Sequence, residues 1–485
     1  MVFSSHLFVF YFLPLTLLVY YLLPRRARHL GLTLLSYLFY GWANPAFVVL
    51  MLTSTVIDYF CGLSIVGRLG RARRQPIELL TRDQPRTRSQ KIAVAVSVAS
   101  NLTLLGFFKY FNFAVENYNQ LMDLLGLDGL QLESVLRIVL PLGISFYTFQ
   151  SMSYTIDIYR GKARALKSFI DFACYVSMFP QLVASPIIRF AEIEDQLRWR
   201  RHSAEKFARG VAFLSLGMAK KILLANPCGK IADTLFDAGS VLPLDAWYGV
   251  LAYAFQIYFD FSGYSDMAIG LGLMLGFVFP KNFDSPYKAA SITEFWRRWH
   301  ISLSTWLRDY LYVSLGGNRK GTRRTYVNLA LVMLLGGLWH GAAWNFVVWG
   351  ALHGMLLGLE RARGRKGFFH RAPRPVRVGG TFLLVLVSWV FFRAADLGAA
   401  LRYLGQMFGL GPVDPGAYLL GGLVYQPYYW LTFATAALVV WGAPQTWDWT
   451  RRLPVWKAAL CLLLLWLSLV TLTTQAYNPF IYFIF

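Results

Sequence analysis

A chain of 485 residues with 56% hydrophobic and 15% charged residues is not an ordinary soluble protein, because soluble domains carry about 25% charged residues. The net charge of +22 does not indicate nucleic-acid binding, since the charges form short clusters between apolar runs and no nucleic-acid-binding module is recognisable. The apolar runs are long enough to cross a bilayer, so we predict an all-α polytopic membrane protein.

The basic clusters predict which loops face the cytoplasm. The first apolar run, 6–23, lacks the basic start and cleavage site of a signal peptide, so we interpret it as a retained first helix. Loop 68–91 carries eight Lys or Arg against two acids, whereas loop 116–135 carries four acids and no Lys or Arg. Continued along the chain, this alternation predicts about 11–12 transmembrane helices in a single domain, 1–485.

The segment 169–188 breaks the alternation because it is apolar but has basic residues on both sides. Pro180 and Pro186 interrupt it, and a broken backbone at membrane depth needs protein or water around it. We therefore predict a re-entrant element that dips in from the cytoplasm. The cysteines are scattered without a CxxC pair, so neither a metal site nor a disulfide is predicted: Cys61, Cys174, Cys228 and Cys461.

Charged residues also occur inside two of the apolar runs. Lys220 and Lys221 form an adjacent cationic pair that apolar surroundings would not tolerate alone. Asp260 and Asp266 lie in the long run 246–279. These carboxylates either face the helix bundle as buried polar groups or divide the run into two pieces.

The segment "ITEFWRRWHISLSTWLRDYLYV", 292–313, predicts an amphipathic helix at the cytoplasmic interface. Arg297 and Arg298 lie off its apolar stripe. They either anchor the helix at the interface or form a collar for an anionic cytoplasmic ligand, such as a phosphopantetheine phosphate. His300 lies beside the stripe, whose members recur at steps of three and four: Ile292, Phe295, Trp296, Trp299, Leu303, Trp306, Leu307 and Tyr310.

From Thr325 to Leu359 the chain has no Asp, Glu, Lys or Arg. One histidine, His340, lies in the middle of this stretch, within "GGLWHGAAWNFVVWG". The pattern fits either a hairpin of two short helices or one broken helix. An ionisable residue at membrane depth is a candidate functional site, because hydrocarbon penalises its charged form.

Together these stretches resemble the membrane-bound O-acyltransferases. The likeness rests on "FWRRWHISLSTWLRDYLYVSLGGNRKG" followed by "GGLWHGAAWNFVVWGALHG". The opening "MVFSSHLFVFYFLPL", the "FPQLVASPIIRF" element and the ending "NPFIYFIF" extend it over nearly the whole chain. Within the family the chain is most similar to the bacterial branch of alginate O-acetyltransferases and teichoic acid D-alanyl transferases.

The resemblance implies a ring of transmembrane helices around a thinned centre, in the bacterial cytoplasmic (inner) membrane. It implies transfer of an acetyl group from a cytoplasmic thioester, acetyl-CoA or an acyl carrier protein, to a hydroxyl for exopolysaccharide acetylation. No tightly bound cofactor and no metal is expected. The expected partners are a periplasmic or extracellular acetyltransferase, the polysaccharide acceptor and membrane lipids, and no nucleic acid.

The family's signature histidine matches His340, and a second functional histidine in the bacterial branch matches His300. A lone histidine in a helix bundle is otherwise usually a hydrogen-bonded structural residue. Apolar surroundings keep the His340 ring neutral, and a neutral imidazole can take a proton from a hydroxyl as a general base. His300 would orient the thioester carbonyl, donate to its developing oxyanion, or pair with His340.

Four further residues are expected to support the site. Trp339 and Asn345 flank His340, while Asp309 is expected to pair with a neighbouring arginine. His353 lies thirteen residues beyond His340, nearly four helical turns, so the two cannot touch along one helix. We interpret His353 as structural or substrate-positioning.

Three other readings of the sequence remain open, one of which is a scaffold for a polysaccharide-secretion complex. A transporter or flippase for an acyl donor or lipid would be expected to show inverted repeats, and none is visible. Alternatively, the same chemistry could act on cellulose, peptidoglycan or teichoic acid. The sequence does not decide which polymer is acetylated.

Overall fold

A computed structural model of the chain describes residues 1–42, 44–69, 77–81, 84–132, 136–183, 185–364 and 366–481. Parts of the predicted loops 68–91 and 116–135, and one residue of 169–188, lie outside these ranges. All regular structure in the described part is helical, with no strand, as expected for an all-α membrane protein. Its contacts form two compact units, residues 7–201 with residue 1, and residues 2–6 with 202–485; the single-domain assignment stays a prediction.

The first unit opens with a π-helical turn at Leu7–Phe12. Its helices are α1 Leu13–Leu22, α2 Arg28–Gly41, α3 Ala46–Ile65, α4 Arg88–Leu124, α5 Ile144–Tyr159, α6 Phe169–Ser177, α7 Phe179–Leu182 and α8 Phe190–Arg198. Helix α4 continues into the predicted loop 116–135 as far as Leu124.

A buried carboxylate joins three of these helices. Asp58 of α3 accepts hydrogen bonds from Ser97 (2.6 Å) and Asn101 (2.7 Å) of α4 and from Ser151 of α5. The Asp58 side chain is fully buried, so these donors replace the water it would otherwise need. The network explains how an acid is accommodated inside an apolar helix.

The segment predicted to be re-entrant, 169–188, is interrupted in the structure. α6 ends at Ser177, α7 is a single turn, and the described residues between α7 and α8 have no regular structure. Ser168 caps the start of α6 by accepting from the Asp171 amide at 3.2 Å. The position of this element relative to the membrane stays a prediction.

The second unit carries the histidine motifs. Its helices are α9 Ala204–Ala219, α10 Asn226–Phe236, α11 Pro243–Met274, α12 Ile292–Arg298, α13 Ile301–Trp306, α14 Gly321–His340, α15 Trp344–Ala362, α16 Arg374–Arg393, α17 Leu397–Met407, α18 Leu420–Val424, α19 Pro427–Gly442, α20 Thr446–Trp449 and α21 Val455–Thr474. π-Helical turns follow α9 and α13, at Lys220–Ala225 and Leu307–Tyr312.

Both carboxylates of the run 246–279 lie on one unbroken helix, α11, which ends at Met274, so they do not divide the run. Asp260 is buried and Asp266 is partly exposed. Each one meets a lysine of the adjacent cationic pair: Lys220 reaches Asp266 at 2.6 Å, and Lys221 reaches Asp260 at 2.8 Å. The π-helical turn after α9 therefore places both lysines against α11. The charged residues inside these two apolar runs thus form ion pairs with one another.

The prediction of a single amphipathic helix over 292–313 is wrong, because the structure divides this segment into two helices. The structure ends α12 at Arg298 and starts α13 at Ile301, with His300 between them at a φ of 43°. The Ile301 amide donates to the Asn282 carbonyl at 2.9 Å instead of continuing the helix. An apolar stripe cannot reveal this break, because the competing carbonyl comes from a distant segment.

Four of the described helices are long and apolar enough to cross a membrane: α3, α4, α16 and α21. They agree with a polytopic membrane protein. The larger number of crossings inferred from loop charge stays a prediction, since several helices of the second unit are short.

Candidate active site

The candidate site lies in the second unit and begins with the charge-free segment. This segment is a hairpin, because α14 ends at His340 and α15 starts at Trp344. The two helices approach closely at two glycines: a Cβ on Gly337 would lie 3.2 Å from the Gly350 Cα and would clash with the Phe346 carbonyl oxygen. Close packing of glycines thus holds His340 at the closed end of the hairpin.

Aromatic rings surround His340. Its ring centroid lies 5.0 Å from Trp339, 5.3 Å from Trp349 and 5.1 Å from Phe392 of α16. The residue is 7% exposed. Burial among apolar rings favours an uncharged imidazole, which is the form a general base needs.

The second histidine lies at the break between α12 and α13. His300 is one of two non-glycine residues with positive φ among the described residues, and such backbone strain is concentrated at functional sites. Its ring is fully buried and packs edge-on against Phe261 at 4.6 Å. Its Nδ1 lies 3.3 Å from the Asn282 side-chain oxygen.

Trp339 connects the two histidines. Its ring lies 6.2 Å from His300 and 5.0 Å from His340. The structure therefore brings together three of the residues selected from the sequence, although forty positions separate the two histidines.

A cavity of about 340 Å³ leads to His340. Its apolar walls come from α13, α14 and α15, and its polar lining includes three arginines. The lining residues are Thr293, Trp296, Arg297, Leu303, Ser304, Leu307, Arg308, Tyr312, Asn318, Leu329, Val332, Met333, Gly336, His340, Trp349, Leu357 and Arg361.

The two ends of the cavity differ in chemistry. His340 and Arg361 lie at opposite ends of the antiparallel hairpin. Trp349 and Arg361 are twelve residues apart on α15, about 18 Å along the axis. The cavity thus has a cationic end and a histidine end, joined by apolar walls.

The two arginines selected from the sequence occupy different places. Arg297 lines the cavity and is exposed. Arg298 turns to Glu294 at 2.9 Å and donates to the Asp284 carbonyl at 2.9 Å. Arg298 thus ties α12 to the preceding loop and is not among the cavity residues.

Arg308 and Arg361 line the cavity but were not selected from the sequence. Asp309 pairs with Arg308 through contacts of 2.7 and 3.0 Å, which confirms the expected arginine partner. For Arg361, the only sequence signal is its position two residues beyond the charge-free segment.

His353 is tied into the packing around the site. Trp296 donates to its Nδ1 at 3.2 Å, so the ring proton is on Nε2, which donates to Ser388 at 3.1 Å. The ring is fully buried. His353 therefore holds the cavity residue Trp296 in place and joins α12, α15 and α16.

Two further polar residues organise the site. Asn345 donates to the Phe391 and Ala394 carbonyls, at 3.1 and 2.8 Å, and so fixes the start of α15 to the end of α16. Glu360, which sequence reasoning missed, is fully buried and accepts from the Ile292 and Thr293 amides at 2.8 and 2.9 Å. This carboxylate secures the start of α12 over the cavity.

Comparison with known proteins gives one family and a set of full-length relatives. Residues 38–392 match the model of the membrane-bound O-acyltransferase family. The chain is 45% identical to a probable alginate O-acetylase AlgI of Pseudomonas putida and 42% identical to that of Pseudomonas aeruginosa, with all of both chains covered in each case. It is also 37% identical to a peptidoglycan O-acetyltransferase of Helicobacter pylori, over 85% of this chain and 81% of that protein.

Proposed function

The chain belongs to the membrane-bound O-acyltransferase family, and we propose from this premise that it acetylates an alginate-like exopolysaccharide. It is a membrane O-acyltransferase. The proposal adds the donor, a cytoplasmic thioester, and the general base, His340. Support for the polymer comes from the relatives named as alginate O-acetylases.

One observation supports the mechanism: a single cavity joins a cationic end to a buried histidine. Arg297 and Arg361 suit the phosphates of acetyl-CoA or of a carrier's phosphopantetheine group, because arginine binds phosphate through paired N–H donors. The apolar walls suit the uncharged arm, and about 18 Å of helix separates Arg361 from the reacting level. The thioester then lies beside His340.

The reaction follows from these positions. His340 takes the proton of the acceptor hydroxyl, and the oxygen attacks the thioester carbonyl carbon. The tetrahedral intermediate collapses with cleavage of the carbon–sulfur bond, and the leaving thiolate receives the proton from His340. Ester and free thiol are formed, and a thioester is reactive enough that no further energy source is needed.

The acceptor hydroxyl approaches from the other side of the membrane in this proposal. It belongs either to the polymer or to a serine or tyrosine of a partner acetyltransferase that passes the acetyl group on. The relative named for peptidoglycan makes a cell-wall acceptor the alternative outcome of the same chemistry.

The proposal can be tested with purified protein in lipid nanodiscs. We expect release of free thiol from acetyl-CoA or an acetylated carrier protein when a hydroxyl acceptor is present. His340→Ala is expected to reduce the rate by about 10²–10⁴-fold, whereas His370→Ala, a histidine away from the cavity, is expected to retain it. Wild-type turnover by a properly inserted His340→Ala protein would overturn the assignment, and acyl-donor uptake without thioester cleavage would favour a carrier.

A further inference from the structure

The polar contacts of His300 identify a residue that the sequence did not suggest. Asn282 lies in the loop between α11 and α12, and its backbone is hydrogen-bonded to the turn that contains His300. Its carbonyl accepts from the Ile301 amide at 2.9 Å. Its side-chain oxygen faces the His300 Nδ1 at 3.3 Å.

The identity of the Asn282 side-chain oxygen follows from its neighbours. The Ser302 amide donates to it at 3.1 Å, and the Ser302 hydroxyl donates to it at 2.9 Å. Because a backbone N–H can only donate, the side-chain amide of Asn282 cannot be flipped to place its nitrogen at this position. The atom beside His300 is therefore an acceptor.

The proton on the His300 ring is assigned by the same contacts. An acceptor oxygen at 3.3 Å from Nδ1 is favourable only if Nδ1 carries the hydrogen. The Ser302 hydroxyl is 3.4 Å from Nδ1 and 2.9 Å from the Asn282 oxygen, so its hydrogen goes to Asn282. Neutral His300 is then protonated on Nδ1, and its Nε2 carries a lone pair.

The Nε2 atom of His300 is buried and, among the described residues, has no hydrogen-bond partner. It cannot donate to a thioester carbonyl in this tautomer. The His300 and His340 rings both pack against the Trp339 ring, at centroid distances of 6.2 and 5.0 Å. An acceptor nitrogen in the neighbourhood of a general base favours the protonated form of the base, whereas an N–H there would disfavour it.

We infer that Asn282 is a positioning residue that fixes His300 as the Nδ1–H tautomer, so that the lone pair of His300 Nε2 stabilises protonated His340. This inference rests on the proposed function. When His340 has taken the hydroxyl proton, its positive charge is stabilised by the His300 lone pair, and Asn282 fixes the orientation of the His300 ring. In other enzymes, too, a third group fixes the orientation and tautomer of a histidine that takes part in proton transfer.

The tautomer can be measured without any activity. In protein labelled with ¹⁵N-histidine, with the His300 signals assigned by their loss in His300→Gln, we expect a protonated Nδ1 and an unprotonated Nε2. The reverse pattern in the wild-type protein would overturn the inference, whatever the result of the turnover assay. Asn282→Ala is expected to lose the preference for Nδ1–H.

The kinetic test separates positioning from binding. Asn282→Ala is expected to lower kcat by about 100-fold and to leave the KM of the thioester unchanged, because the lost interaction forms only as His340 is protonated. Asn282→Asp keeps the acceptor oxygen and is expected to stay within about tenfold of wild type.

Ser302→Ala is the matched control. It removes the hydroxyl from the Asn282 oxygen but leaves the His300 contact, so the tautomer and most of the rate are expected to persist. An Asn282→Ala protein that inserts normally and turns over at the wild-type rate would contradict the inference and leave the function of His340 intact. Failure of the wild-type protein to cleave any thioester would instead contradict the proposed function.

Discussion

Gly337 and Gly350 face each other across the α14–α15 hairpin, and a Cβ on either would lie 3.2–3.3 Å from the Cα of the other. The carbonyl oxygens of Phe346 and Met333 close the remaining space around them. The contact fixes how the two helices converge, and His340 lies one turn beyond it. The small residues of the motif are therefore part of the geometry that positions the base.

Gly350→Ala is expected to separate the two helices. The added methyl group would clash with the Met333 backbone, and overpacking of this kind costs about 1–3 kcal/mol. Thermal unfolding in detergent should show a lower midpoint, and kcat should fall because His340 moves away from the cavity. Gly358→Ala, on the same helix, would meet its nearest neighbour, Tyr326, only at 3.7 Å, and is expected to behave as wild type.

Much of the fold was accessible from the sequence because apolar runs and loop charges are local signals. The hairpin that contains His340, the interruption at 169–188 and the acids of α11 all left such signals. The carboxylate partners of Lys220 and Lys221 left no local signal, because the lysines and the carboxylates lie in different elements and meet only after packing.

The site was less accessible than the fold for the same reason. The two histidines were found through motif resemblance, but the break at His300 depends on the Asn282 carbonyl, which comes from another segment. The cationic end of the cavity includes Arg361 because the hairpin folds back on itself. Arg298 has the same local sequence setting as Arg297, yet ion pairs with Glu294 and Asp284 hold it elsewhere.

Arg361→Ala is expected to weaken binding of the thioester donor. Loss of one charge-assisted contact to a phosphate costs about 1.5–3 kcal/mol, so KM should rise by about 10–100-fold while kcat stays near wild type. Arg363→Ala provides the control, because Arg363 lies beyond the end of α15 and contacts Phe368 instead of the cavity. An Arg361→Ala enzyme with unchanged KM for every thioester tested would argue against this end as the donor entrance.

His353→Leu is expected to reduce stability more than catalysis. It removes the acceptor of the Trp296 N–H and the donor to Ser388, and a buried group left without its partner costs about 1–3 kcal/mol. The unfolding midpoint should fall, with kcat reduced much less than by His340→Ala. Ser388→Ala should show a smaller effect of the same kind, whereas complete loss of turnover in a stable His353→Leu protein would mean that His353 takes part in the reaction.

Lys221→Met is expected to loosen the C-terminal segment. Lys221 pairs with Asp260 at 2.8 Å and also donates to the Pro479 carbonyl, while Asp260 accepts from the Ile481 amide at 2.9 Å. Both side chains are almost fully buried, and removing one partner of a buried pair costs about 3–5 kcal/mol because the other charge is left uncompensated. Limited proteolysis should therefore cleave the tail faster in Lys221→Met than in wild type.

The double variant Lys221→Met with Asp260→Leu removes both charges and should recover part of the stability, though the tail would still lack its two polar anchors. Equal resistance of the single variant and the wild type would show that the pair does not hold the tail.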